Sequence, residues 1–202
     1  MATSILRRWS GPAAVLGGGL WIAAVVAMAA LPEGCIGDVC ALPGRSMRDT
    51  SAVAPLAAAA LLLIAVGVAA LVRRAQRAGR FGPGGVGGVV ISAAGAALLA
   101  TGGVVQALAA GGDFPYMPLF VLPGMLGLIA GVLLLSASLL RAGTLPRWAG
   151  ALLVAGGLAL LGFNDQNTQA LLAVPFGAAW VAMATCSPSP DASVKAALAG
   201  VS

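Results

Sequence analysis

The chain contains no histidine, and only 8% of its 202 residues are charged. A soluble domain usually carries about a quarter charged residues, so a chain this poor in charge cannot cover a water-facing surface. Hydrophobic residues make up 60% of the sequence, and the mean hydropathy is +1.01. The composition therefore predicts that lipid, rather than water, surrounds most of the chain.

The missing residue types also exclude most catalytic chemistry. Zinc hydrolases need histidine ligands, and a serine nucleophile needs a base, for which the sequence offers only Lys195 in its tail. Ala110-Gly-Gly-Asp113 lacks the first glycine of the intramembrane aspartyl protease motif. Gly82-Pro-Gly84-Gly-Val-Gly87-Gly88 formally contains G-x-G-x-x-G, but no strand precedes it. We therefore predict no enzyme activity, no catalytic residue, no metal site and no cofactor.

The net charge of +5 does not indicate nucleic-acid binding. The positive charges are arginines at the ends of apolar segments, and they do not alternate with aromatic residues as in single-strand binders. We therefore predict no nucleic-acid partner.

Six apolar segments are expected to be transmembrane helices, because most approach the roughly 20 residues that a helix needs to cross a bilayer. They lie at about 12–31, 52–72, 86–110, 119–140, 146–163 and 170–185. We predict an all-α transmembrane bundle of six helices in one membrane domain, residues 1–186, with a mobile cytoplasmic tail over 187–202. Span one also resembles a signal peptide, since Ala27-Met-Ala29 lies near its end, but its length favours a retained helix.

The loop between spans two and three carries a cluster of arginines, Arg73, Arg74, Arg77 and Arg80. Arginines near the ends of spans stay on the cytoplasmic side. With both termini in the cytoplasm, nine of the eleven basic residues lie inside, and only Arg45 and Arg48 lie outside. We therefore predict a multi-pass protein of the cell (inner or plasma) membrane with both termini cytoplasmic.

Small residues at helical spacing predict where the helices approach one another, because close approach drives packing in lipid. Span three has Gly88, Ser92, Ala96 and Ala100 at intervals of four. Span four has Gly124, Gly127 and Gly131, and span five has Gly150, Gly156 and Gly157. We predict that spans three to five pack together, with a homo-oligomer built on Gly127-x-x-x-Gly131 as the alternative.

Polar groups inside the spans are few, and none in the central part of a span is ionisable. This argues against a proton-driven pump or a voltage sensor. Gln106 is the polar residue of most interest, either bonded to a neighbouring helix or touching a polar substrate. Pro123 and Pro175 predict helix breaks, whose backbone carbonyls could serve a small-solute facilitator or channel.

Cys35 and Cys40 lie in the loop predicted to be outside, where an oxidising compartment favours a disulfide. The alternative is an outer-face thiol redox enzyme, but such enzymes use a second cysteine pair, and only Cys186 remains, on the cytoplasmic side. The outer acidic residues could form a cation-binding rim or simply be solvated, and the sequence leaves both open. They are Glu33, Asp38, Asp49, Asp113 and Asp165.

Leu145-Pro146-Arg147-Trp148-Ala149-Gly150 opens span five directly after a basic turn. Together with the Ala/Gly-rich spans around it, this stretch resembles the uncharacterised six-span membrane proteins of high-GC actinobacteria. The resemblance covers about spans three to six and implies no activity or site. The most direct prediction is an accessory or structural bacterial membrane protein that packs with itself or with a membrane partner.

Overall fold

The structure, a computed structural model, describes residues 2–35, 39–40, 42–50, 52–77, 79, 81–109, 116 and 118–185. The described residues form helices and no strand, which confirms the all-α prediction. The α-helices are α1 (Ala2–Ala30), α2 (Ala54–Arg77), α3 (Pro83–Ala109), α4 (Pro118–Arg141), α5 (Arg147–Ala159) and α6 (Val174–Thr185). The 3₁₀ helix Leu160–Gly162 extends α5, and the 3₁₀ helix Thr168–Ala173 precedes α6. Cys186, Lys195 and the tail lie outside the described residues.

Four of the helices, α1 to α4, contain stretches long and apolar enough to cross a membrane. The other two apolar helices are shorter and become longer only through their 3₁₀ segments. A 3₁₀ helix rises about 2.0 Å per residue against 1.5 Å in an α-helix, so Thr168–Thr185 reaches about 30 Å. The same reasoning gives about 25 Å for Arg147–Gly162.

The helices contact one another in an order that differs from their order in the chain. α1 contacts α2 on one side and α6 on the other, and α5 lies between α6 and α4. α3 packs on α4. The principal contacts therefore follow the order α2, α1, α6, α5, α4, α3, and because only five residues connect α2 to α3, this order curves back on itself.

The bundle has two ends along the helix axes, which we name by their residues. The disulfide end holds the described residues of 31–53 and 163–168, and the arginine end holds the described residues of 73–82 and 141–147. At the arginine end α4 stops because Gly143 adopts a left-handed φ of 64°. The N–H of Gly143 bonds to Leu140 O, and the N–H of Thr144 bonds to Leu139 O. This is the Schellman pattern, in which a glycine lets the chain turn and satisfies the last carbonyls of a helix.

Adjacent glycines on α1 face its two neighbours. A Cβ placed on Gly17 would lie 2.9 Å from Ile64 N of α2, and one on Gly18 would lie 2.5 Å from Gly177 O of α6. Successive residues on an α-helix point about 100° apart, so a glycine pair can serve two contacts. Gly156 and Gly157 do the same on α5, facing α6 and α4 respectively. The sequence analysis did not single out the α1 glycines.

We expect Gly18→Ala to lower the free energy of unfolding by roughly 1–3 kcal/mol, because the new methyl group meets the backbone of α6 rather than a movable side chain. Gly19→Ala is the matched control, since nothing lies within 4 Å of its Cβ position. That control should be neutral or stabilising by up to about 1 kcal/mol. Thermal unfolding in detergent measures both, and equal midpoints for the two variants would contradict the α1–α6 contact.

The α3–α4 interface uses a different stripe from the predicted interval of four. Gly88 and Ser92 do lie against Gly131 and Leu135, but further along α3 the buried contact is made by Gly95, against Gly124 and Leu128. Ala100 is exposed. Steps of four residues advance 40° beyond a full turn, so the stripe rotates off the interface, whereas alternating steps of four and three stay on it.

Candidate functional site

A cap of hydrogen-bonded groups lies at the disulfide end, formed by the described residues of the α1–α2 loop and of the turn at 163–168. The predicted disulfide is present: Cys35 and Cys40 are joined, with Cα atoms 5.1 Å apart. The N–H of Cys35 also donates to Ser46 O at 3.1 Å. Pro43 and Gly44, with φ 76° at the glycine, form a turn that the Arg45 N–H closes on Leu42 O.

Arg48 holds the two parts of the cap together and is only 6% exposed. Its Nε donates to Pro32 O at 2.9 Å and its Nη2 to Leu31 O at 3.1 Å, at the end of α1. Its Nη1 donates to Asp165 O at 2.9 Å and to Asn167 O at 3.2 Å, in the turn before α6. One guanidinium therefore satisfies four backbone carbonyls from two distant segments, which a planar fork of donors is suited to do.

Gln166 completes the connection from the other side. Its side-chain Oε1 accepts from the Arg48 N–H at 2.7 Å, and its backbone carbonyl accepts from the Gly34 N–H at 2.8 Å. A Cβ on Gly34 would collide with the Gln166 side chain and the Arg48 backbone. The α1–α2 loop is therefore fixed to the 163–168 turn through both main-chain and side-chain bonds.

The sequence analysis counted Arg48 among two outer arginines and gave it no role. One signal could have drawn attention to Arg48: two arginines lie on the side where positive charge is disfavoured. That signal does not separate Arg48 from Arg45, which is exposed.

The expected break at Pro175 is a change from 3₁₀ to α-helix. Asn167 Oδ1 caps the 3₁₀ segment by accepting from the Gln169 N–H at 2.7 Å. Val174 N–H bonds to Leu171 O three residues back, and Pro175, which has no N–H, follows. Trp21 of α1 donates its Nε1 proton to Ala173 O at 2.9 Å. The Ala173 carbonyl beside the break therefore already accepts a hydrogen bond from another helix of the protein. Pro175 itself is exposed on the surface of the bundle.

Aromatic rings pack beside this break. Phe176 contacts Trp21 and Trp180 edge to face, with ring centroids 5.7 Å and 6.2 Å apart. Trp180 is 2% exposed, and its Nε1 has no hydrogen-bond partner among the described residues. Trp21 and Phe176 therefore pack together at the contact of α6 with α1.

α4 runs without interruption through Pro123, which is exposed. An apolar groove of about 410 Å³ lies nearby, between the first half of α4 and the 3₁₀ segment after α5. Met125 and Ile129 line one wall and Leu160 and Phe163 the other. The helices touch closely at the arginine end, where Gly150 meets Leu140, so the groove is the wedge that opens toward the disulfide end.

The remaining predicted site residues are only partly described. Gln106 lies in the last turn of α3, and its side chain is outside the described part. Among the acids, Asp38 and Asp113 are also outside it. Among the described residues no three acidic, cysteine or histidine side chains gather in a way that could hold a metal ion. The cap is therefore built from hydrogen bonds to backbone groups, an arrangement that fixes geometry.

The chain matches no protein-family model, and neither the curated proteins nor the solved structures contain a significantly similar one. The resemblance to actinobacterial six-span proteins stays a prediction.

Proposed function

We propose that the protein is a six-span integral protein of the cell (inner or plasma) membrane with an accessory or structural role and no catalytic activity. The observation that carries this proposal is the fixed cap joined to a close-packed bundle of apolar helices. Hydrogen bonds to backbone carbonyls fix the cap, and glycines allow the helices to approach closely.

The span count rests on length. Four helices are long and apolar enough to cross a bilayer by themselves, and the 3₁₀ segments bring the last proposed span to about the 30 Å of a hydrocarbon core. The fifth span, at about 25 Å, is short but tolerable, because a bilayer thins or flanking residues adjust at modest cost.

The orientation rests on charge. The arginines whose side chains the structure describes lie at the arginine end, except for Arg45 and Arg48. Because Arg48 is buried in the cap, Arg45 is the single exposed arginine at the disulfide end among the described residues. We therefore assign the arginine end and both termini to the cytoplasm.

The two alternatives receive less support from the geometry. A facilitator would use the carbonyls at the proline breaks, yet Pro123 and Pro175 are exposed on the outer surface and Ala173 O is bonded to Trp21. A thiol redox enzyme needs an accessible pair, yet Cys35 is buried and bonded within the cap. A membrane partner or second copy would meet the exposed faces of α2 and α3, because Gly131 already packs against Ser92 within the chain.

Thiol labelling tests the topology. In a Cys186→Ser chain that keeps the native disulfide, one reporter cysteine at a time replaces an exposed residue, at Ser46, Gln76, Tyr116, Trp148 or Thr168. With a membrane-impermeant maleimide on intact cells, we expect Ser46, Tyr116 and Thr168 positions to react, and Gln76 and Trp148 positions to react only after lysis. In the Cys186→Ser chain without a reporter cysteine, Cys35 and Cys40 should react with the maleimide on intact cells only after the disulfide has been reduced.

The labelling pattern shows which part of the proposed topology is wrong. The opposite pattern at every position would overturn the orientation. Reaction at Thr168 only after lysis, with Ser46 and Tyr116 unchanged, would remove the last two spans from the topology. Reaction of Cys35 or Cys40 without reductant would favour a redox role over the cap.

A further inference from the structure

The arginine end carries exposed positive charge from several helix ends. We define the arginine rim as Arg73, Arg74, Arg77, Arg141 and Arg147, all of which are exposed. The described acidic residues, Glu33, Asp49 and Asp165, lie at the disulfide end. Among the described residues, no acidic side chain therefore lies at the arginine end to balance the charge of the rim.

The helix ends that carry the rim converge. Arg141 and Arg147 flank the Schellman turn, and Gly150 of α5 packs on Leu140 of α4, so these two arginines stand on adjacent helices. A Cβ on Gly84, at the start of α3, would lie 3.3 Å from Ser138 Oγ, about one turn before Arg141. The short connection over residues 78–82 joins that start of α3 to Arg77.

Helix dipoles explain part of the rim. Arg74, Arg77 and Arg141 lie in the last turns of α2 and α4, where the negative end of the helix dipole favours a cation. Arg147 opens α5, where the dipole disfavours one, and Pro146 before it provides no side-chain cap. Trp148 beside it is 48% exposed, as is common for indoles at the head-group layer. A bound anion would offset the unfavourable position of Arg147 at the helix start, and it would also pair with the other arginines of the rim.

We propose that the arginine rim binds the phosphate groups of anionic phospholipids in the cytoplasmic leaflet. The inference rests on the proposed membrane location. Guanidinium groups form paired hydrogen bonds with phosphate oxygens, and basic clusters next to spans attract anionic lipids. The lipid is favoured over free phosphate because the rim borders the apolar ends of α4 and α5, where an acyl chain can follow its head group.

The test uses purified protein in neutral detergent micelles, with the thermal unfolding midpoint as readout. Phosphatidylglycerol, phosphatidylcholine or inorganic phosphate is titrated in separate series. A ligand that binds the folded state raises the midpoint with its concentration. We expect phosphatidylglycerol to raise the unfolding midpoint of the wild type. The Arg141→Gln/Arg147→Gln variant should need at least a tenfold higher concentration of this lipid to reach half of its maximal midpoint shift. Arg45→Gln, an exposed arginine at the disulfide end, is the control and should respond as the wild type.

Three outcomes would overturn the proposal. They are an equal rise with phosphatidylcholine, an equal loss in Arg45→Gln, and a full rise with inorganic phosphate alone, which would indicate a free-anion site. If the double variant does not fold in micelles, Arg73→Gln/Arg74→Gln provides the same comparison on α2. Micelles have no sidedness, so reversed cysteine labelling would defeat the proposed orientation without affecting this result. If cysteine labelling follows the expected pattern but the lipid titration gives one of these three outcomes, only the lipid proposal is overturned.

Discussion

Replacement of Arg48 by methionine is expected to destabilise the protein by about 3 kcal/mol, which corresponds to a fall of roughly 10 °C in the unfolding midpoint. Methionine keeps part of the side-chain volume but removes every donor. The carbonyls of Leu31, Pro32, Asp165 and Asn167 then lose a charged partner that is only 6% exposed. Buried acceptors left unpaired cost more than the same acceptors in water.

Arg45→Met is the control for this experiment, because it makes the same change in charge at an exposed position of the same loop. We expect its midpoint to stay within about 2 °C of the wild type. Arg48→Lys should recover only part of the loss, since one ammonium cannot reach all four carbonyls that surround the planar guanidinium group. Equal stability of Arg48→Met and Arg45→Met would show that the cap does not depend on Arg48.

The α3–α4 contact gives the second large effect. We expect Gly88→Ala to cost roughly 1–3 kcal/mol, because its Cβ would lie 2.6 Å from Leu135 N, a backbone atom that cannot turn aside. Gly87→Ala should be neutral or stabilising by up to about 1 kcal/mol, because nothing lies within 4 Å of that position. Thermal unfolding in detergent compares these two neighbours on one helix.

The partner helix offers an independent pair. A Cβ on Gly131 would collide with Ser92, whereas one on Gly127 would meet Gly95 Cα at 3.4 Å, an ordinary contact. We therefore expect Gly131→Ala to behave like Gly88→Ala, and Gly127→Ala to lose much less. Equal losses at Gly127 and Gly131 would instead favour an interface that uses both glycines, as in the predicted homo-oligomer.

The presence of the helices could be predicted from the sequence because long apolar runs leave few other conformations. Boundaries were less certain: α1 begins at Ala2 rather than near Pro12, since a helix continues beyond its apolar part. The Cys35–Cys40 bond followed from a short separation in a loop predicted to face an oxidising compartment. Each of these features depends on residues close together in the chain.

The neighbours of each helix could not be predicted in the same way. Nothing in the spacing of Gly17 and Gly18 says that one meets α2 and the other α6. Arg48 and Gln166 are far apart in the chain, and each alone is an unremarkable loop residue. Ala96 and Ala100 were chosen by interval, while the interface follows Gly95, because a helix has 3.6 rather than 4 residues per turn.

The position of α1 between α2 and α6 has a consequence for synthesis of the chain. α1 precedes α6 in the chain and completes its contact with α6 only when α6 has been made. Until then, Gly18 lacks the neighbour that it has in the folded structure, whereas the α3–α4 hairpin can form earlier from adjacent segments. The Arg48 bonds to Asp165 and Asn167 also form only at this late stage.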